Sequence, residues 1–257
     1  MPDALLSEVA RIAAEAGRIA AGRCGGAFRT WEKVPGHPVC DIDLEVDEFL
    51  REKLGALDPE AGWLSEETLD ASDRIERRRL WVVDPIDGTR DYLRGRPGWC
   101  VSVALVEDRV PVIGVLDAPA RGEHWTAAKG KGARRNGERL KVSGRTAFSG
   151  ARVPADKLGS ADSDLVAVDK PNSIALRIAL VAAGEADLVA TLKWGFEWDI
   201  AAAALIAAES GATVSGALGQ PLAFNTASGE AFGVLVATPG IHKEAAERLR
   251  ERALSLV

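Results

Sequence analysis

Apolar residues near the start of the chain recur at helical spacing. Leu5, Leu6, Val9, Ile12, Ala13, Ala16 and Ile19 form one stripe, which predicts an amphipathic helix that ends at Gly25-Gly26. The stretch through Lys33, Pro35, Gly36 and Pro38 reads as a loop. A second helix is expected over residues 41–57, with Val46, Phe49, Leu50 and Leu54 as its apolar stripe and Asp43 and Asp47 on or near the opposite face. The period then shortens. Gly62-Trp63-Leu64 is a brief apolar run stopping at Ser65-Glu66-Glu67. Leu80-Trp81-Val82-Val83 reads as a buried strand that stops at Asp84. Residues 101–106 and 110–116 read as a hairpin around Glu107-Asp108-Arg109, and Asn136-Gly137 marks another turn.

Beyond Gly144 the pattern changes. Residues 150–172 are polar and loop-like, 174–183 and 200–210 read as Ala-rich helices, and 187–190 as a strand between them. Residues 233–237 are expected to form a last strand and 241–254 a closing helix. Two α/β subdomains follow, 1–143 and 144–257.

Composition narrows the function. A chain of 257 residues with 47% hydrophobic and 27% charged positions can bury a sizeable core, which excludes a disordered or fibrous protein. The net charge is -6, and Arg77-Arg78-Arg79 is its longest basic run, which argues against a nucleic-acid polymer as partner. A small anionic substrate stays open, because bound cations can reverse a local field. The three cysteines fit neither a zinc spacing nor a disulfide framework. With no signal-like start and no apolar run of membrane-spanning length, a cytoplasmic protein off the membrane is expected. The sequence leaves room for a homodimer.

Three acidic segments sit where apolar elements stop: Glu66-Glu67, Asp84-Pro85-Ile86-Asp87-Gly88-Thr89, and Trp198-Asp199. Taken singly they read as a solvated loop, a turn starter and a helix N-cap. Together they suggest one site, since converging carboxylates repel unless cations neutralise them. None of the three histidines has ligand spacing, so oxygen ligands favour magnesium or manganese over zinc or copper. The segment does not match an EF-hand, and nucleotide-binding glycine motifs and a nucleophile elbow are missing.

On these residues the chain resembles the inositol monophosphatase superfamily of lithium-sensitive, magnesium-dependent phosphatases. The matching motifs are Ser65-Glu66-Glu67, residues 84–89, and Trp198-Asp199-Ile200-Ala201-Ala202, in the family's order and spacing. The resemblance implies a layered α/β/α/β/α sandwich of the inositol monophosphatase/fructose-1,6-bisphosphatase type, within the α/β (α+β) class. It also implies Glu66, Asp84, Asp87, Asp199 and the Ile86 carbonyl as ligands for on the order of two or three Mg2+ ions, replaceable by Mn2+. Thr89 with Glu66 would orient and deprotonate the attacking water. Asp43 would assist a weakly held metal, and Gly88 and Thr89 amides would cradle phosphate. Lys33 would lie in a mobile loop closing over the site. Cys40 departs from the Thr or Ser often found there. The reaction implied is in-line attack of water on phosphorus, with no phosphoenzyme and no histidine.

For substrate, Gly88-Thr89-Arg90-Asp91-Tyr92 keeps the cation–anion–aromatic order of 3′(2′),5′-bisphosphate nucleotidases. Phe196-Glu197-Trp198-Asp199 resembles their approach to the late motif. Arg90, Asp91 and Glu197 are therefore expected to join Gly88 and Thr89 at the substrate. Leu192 stands where inositol enzymes place a hydroxyl-binding glutamate. The expected substrate is 3′-phosphoadenosine 5′-phosphate, converted to AMP. The alternatives are inositol 1-phosphate and histidinol or sugar phosphates. A non-catalytic regulator of the same fold is a further reading, opposed by the complete carboxylate set.

Overall fold

The computed structural model describes residues 2–26, 28–34 and 37–256; for Pro2, 32–34, 37 and 38 only the backbone is described. Helix α1 (Pro2–Arg23) is followed by strands β1 (Thr30–Val34) and β2 (His37–Cys40), and by α2 (Asp41–Leu57). Then come β3 (Gly62–Ser65), β4 (Arg79–Asp87), α3 (Thr89–Leu93), β5 (Cys100–Glu107), β6 (Val110–Ala118), β7 (Glu123–Ala128), β8 (Gly132–Arg135) and β9 (Glu138–Arg139). The rest comprises β10 (Arg152–Pro154), β11 (Val166–Val168), α4 (Ile174–Ala182), β12 (Leu188–Phe196), α5 (Glu197–Glu209), β13 (Thr213–Ser215), β14 (Glu230–Ala237) and α6 (Pro239–Leu254).

Strands β3 to β9 form one sheet in sequence order, with β3 and β4 parallel and the other pairs antiparallel. A second sheet has the order β12-β14-β13. The large sheet is covered on both faces, which is why its central strands read as continuous apolar runs and not as alternating ones. Trp81 and Val83 of β4, with Val101, Val103 and Leu105 of β5, pack under α1 and α2. Leu80 and Val82, with Cys100, Ala104 and Val106, face the opposite way, onto α4 and α5. Those helices meet Val189, Val234 and Val236 of the second sheet. Its other face carries Leu188, Leu235 and Ala237 against Ile241, Ala245 and Leu249 of α6. Five layers result: helices, sheet, helices, sheet, helix. The main core takes residues from both sides of Gly144. Among the described residues, no helix is long and apolar enough to cross a membrane.

The structure corrects several expectations. The stretch expected as a loop around Lys33 is the antiparallel β1–β2 pair, with Thr30 opposite Cys40; Pro35, Gly36 and the Lys33 side chain lie outside the described part. Strand β4 does not stop at Asp84. It runs to Asp87 through a register shift between Asp84 and Asp87, which accommodates Pro85 because a bulge removes the need for its missing N–H. Helix α5 begins at Glu197, so Asp199 lies inside the first turn and its carboxylate accepts the Phe196 N–H at 3.3 Å. Asp43 and Asp47 are buried. The Asp47 carboxylate accepts the Ser65 hydroxyl, and also that of Thr68 at 2.5 Å, tying α2 to the Glu66 loop.

Candidate active site

The site forms where β4 leaves the sheet and the first turns of α4 and α5 arrive. The Ile86 N–H donates to Asp84 Oδ1 at 3.0 Å, and the Thr89 hydroxyl donates to the Ile86 carbonyl at 3.0 Å, so the segment folds over its own polar groups. Gly88 caps α3 with φ +96, and a Cβ there would sit 2.6 Å from the Gly98 carbonyl oxygen. Only glycine fits.

Asp87 points at the start of α4, where Ser173 is the N-cap. Its carboxylate accepts the Ser173 hydroxyl and the backbone N–H groups of Ala175 (2.8 Å) and Ile174 (3.4 Å). One α4 end thus fixes Asp87, while α5 brings in Asp199. Carboxylate oxygens of Asp84, Asp87 and Asp199 lie within 4.8 Å of one another.

Burial pushes Asp84 well above the usual carboxylate range, and the charges of Glu66, Asp87, Asp199 and Asp43 push it further. Burial also raises Asp87, against the opposing pull of Ser173, the α4 amides and Arg177. Asp199 is pushed up to about 7 by desolvation and by Asp87, with the Phe196 N–H and Lys193 opposing. Carboxylates packed together this way, with only oxygen donors, fit hard divalent cations such as Mg2+ or Mn2+. Glu66 lines the same cavity. Asp43 does not line the cavity, though its charge reaches Asp84; it accepts the Cys40 N–H at 2.8 Å and thiol at 2.9 Å.

The electrostatics predict a pH dependence in chelator. Asp199, and Asp84 with it, hold protons in the folded state that an unfolded chain releases near pH ~4. Their contribution to stability is therefore complete below that pH and is lost as pH rises through the raised folded values. Asp187, lowered to about 2 chiefly by Arg152 and Ser143 hydrogen bonds against its burial, contributes a constant amount above pH ~4. His242, lowered by burial, slopes the other way only below its unfolded value of ~6.5. The Tm of the chelated protein should thus fall between about pH 6.5 and about pH 8. Magnesium should restore more at the upper end. A flat or rising Tm across that range would contradict the proton count.

The cavity, about 310 Å³, is lined by Glu66, Asp84, Asp87 and Asp199, by the 86–90 segment, and by residues not anticipated from sequence. Arg177, Lys193, Trp194, Phe196, Thr191 and Asn172 all reach it. Arg177 carried a readable signal, being the one charged residue in the apolar run of α4. It donates to the carbonyl oxygens of Pro171 and Asn172, and burial lowers its pKa.

Two expected substrate contacts are corrected. Glu197 is fully buried and does not line the cavity. Its carboxylate accepts the N–H groups of Asn225 (2.6 Å) and Thr226 (2.8 Å) and the Thr226 hydroxyl, so it clamps the 225–226 turn. Asp91 turns into a neighbouring cavity, where it accepts the Asn172 N–H at 3.1 Å and lies 4.0 Å from Arg96. Arg90, by contrast, lines the first cavity beside Thr89. Leu192 packs partly buried against the apolar clusters behind β12.

Comparison with known proteins bears on what this arrangement does. A model of the inositol monophosphatase family matches residues 2–255. The chain belongs to the inositol monophosphatase family. It is therefore a hydrolase of phosphomonoesters. Within that family it is 32% identical over 235 residues to the 3′(2′),5′-bisphosphate nucleotidase CysQ of Aggregatibacter actinomycetemcomitans, covering 86% of this chain and 87% of that one. It is 33% identical over 229 residues to a histidinol-phosphatase of Mycobacterium tuberculosis, covering 82% and 84%. The crystal structure of the extragenic suppressor protein suhB from Bartonella henselae superposes with a TM-score of 0.82 at 25% identity, covering 96% of this chain and 99% of that one. Family members similar to this chain thus carry different substrate names, and the choice between them turns on the cavity walls.

Proposed function

We propose that this chain is a magnesium-dependent phosphatase whose substrate carries a second anionic group, with 3′-phosphoadenosine 5′-phosphate as the best fit. The observation that carries this reading is the placing of Arg90, Arg177 and Lys193 around the cavity that holds the carboxylates. A monophosphate needs cations only at its one phosphate, which the divalent ions would meet. Further cations in the same cavity favour a remote anion. The position that would accept polyol hydroxyls, Leu192, is apolar and packs into the core behind the strand.

Glu66, Asp84, Asp87, Asp199 and the Ile86 carbonyl would hold the magnesium ions, which supply a more acidic water and neutralise charge on the leaving oxygen. The chain's own groups do the rest. Thr89 donates its hydroxyl proton to the Ile86 carbonyl, leaving its oxygen lone pairs for an incoming water proton. Glu66 stands by as the base. The Gly88 and Thr89 amides orient the phosphate, and Asp43 adds its charge from outside the cavity.

The test is a side-by-side assay with magnesium. 3′-Phosphoadenosine 5′-phosphate should exceed inositol 1-phosphate and histidinol phosphate in kcat/KM by roughly ten- to hundredfold, the worth of one charge-assisted contact. Arg90→Thr should erode that preference while sparing the monophosphates. A wild-type preference for inositol 1-phosphate, or uniform loss in Arg90→Thr, would overturn the assignment.

A further inference from the structure

Strand β12 does not run evenly along β14. Thr191 pairs with Val234 and Trp194 with Phe232, so Leu192 and Lys193 together stand opposite Gly233 alone. Gly233 has φ +64, and a Cβ there would fall 2.3 Å from the Thr191 carbonyl oxygen and 2.6 Å from the Ala217 Cβ. The glycine makes the bulge sterically possible. In a regular strand, successive side chains point to opposite faces. Here the bulge lets Lys193 and Trp194, adjacent in sequence, both line the cavity that holds Asp84, Asp87 and Asp199.

Trp194 is 55% exposed, although tryptophan is buried on average. It is not loose. Its ring meets Phe232 edge-on, with centroids 5.5 Å apart and planes at 61°, and Phe232 is itself buried. An edge contact fixes the ring and leaves a face available. The cavity volume of about 310 Å³ lies at the lower end of the range for small-molecule sites. A supported tryptophan beside a lysine, in a cavity that also holds carboxylates for metal, combines the elements for a flat ring and for phosphate.

We propose that Trp194 is a specificity-determining residue that stacks on the nucleobase of the substrate, with Lys193 meeting an adjacent phosphate. This rests on the reading of the substrate as a bisphosphate and adds which further part of it the protein recognises. Stacking on one aromatic side chain tolerates any base, so adenine should not be uniquely preferred.

The test measures kcat and KM for the wild type, Trp194→Ala and Trp194→Phe with magnesium on three probes. These are adenosine 3′,5′-bisphosphate, adenosine 3′-monophosphate, and 1,2-dideoxyribose 3,5-bisphosphate, which keeps both phosphates and lacks the base. Trp194→Ala should raise KM for both adenosine compounds by about ten- to hundredfold with little change in kcat, and leave the base-free probe unaffected. Trp194→Phe should recover most of the loss. The base-free probe also reports whether the variant is folded. If Trp194→Ala acts equally on all three probes, or on none, the stacking role is overturned, even where the wild type still prefers the bisphosphate. If the wild type shows no such preference but Trp194→Ala penalises both adenosine compounds, stacking stands and the second-phosphate reading falls.

Discussion

Asp84→Asn is expected to leave less than about one per cent of wild-type kcat at saturating magnesium, a loss of ~3 kcal/mol or more of transition-state stabilisation. The same substitution should raise the Tm of the metal-free protein. Both results follow from one arrangement. Asp84 is buried among Glu66, Asp87 and Asp199, and its charge is costly there unless cations are present. Asparagine keeps the oxygen that accepts the Ile86 N–H at 3.0 Å, so the turn should survive. What goes is a negative charge, which the proposed metal ions would need and the metal-free fold does not. Calorimetry in chelator and kinetics in magnesium read the two effects separately. Retention of more than a few per cent of kcat would remove Asp84 from the proposed metal ligands. An unchanged or lowered metal-free Tm would show that its neighbours do not repel it.

Thr89→Ala should lower kcat by roughly 10²- to 10³-fold, as loss of a positioned proton acceptor does, with KM changed little. The Thr89 hydroxyl is already committed as donor to the Ile86 carbonyl, which orients its lone pairs. Removing it takes away that acceptor and leaves one carbonyl with a partner fewer, a modest structural cost. Thr89→Ser keeps the hydroxyl and should recover most of the activity. A loss confined to KM would reassign Thr89 to holding the substrate.

The sequence was most legible where one physical signal dominated. Helix α2 follows from its apolar stripe of Val46, Phe49, Leu50 and Leu54. The β5–β6 hairpin follows from its apolar runs and from a turn in which Asp108 and Arg109 take positive φ. The acidic motifs were visible because carboxylates at the ends of apolar elements are costly, and the structure brings Asp84, Asp87 and Asp199 together from two distant segments. Legibility failed where a residue's surroundings come from elsewhere in the chain. Asp43 and Asp47 lie off the apolar stripe of α2, yet they are buried by the Cys40 turn and the Glu66 loop. Glu197 sits two residues from Asp199, but a helix turns its side chain towards 225–226, which no local pattern announces. Proline and glycine hid β1 and β2, because both are ordinarily signs of a loop. Trp194 reaches the cavity through a bulge that depends on Gly233 in a different strand.

The turn held by Glu197 is also held from the other half of the chain. Arg74, buried, donates to the Asn225 side-chain oxygen at 2.7 Å and to the Thr226 carbonyl at 3.0 Å, while the Asn225 amide returns a bond to the Arg74 carbonyl. These partners are 151 residues apart. Arg74 also grips Asp70, just beyond the Glu66 loop. Contacts across such a separation cost more chain entropy to close than local ones do. A nascent chain ending before Asp199 therefore has Glu66, Asp84 and Asp87 but cannot bring them their fourth carboxylate. The order of synthesis thus delays assembly of the proposed ligand set until the α5 segment has emerged and docked.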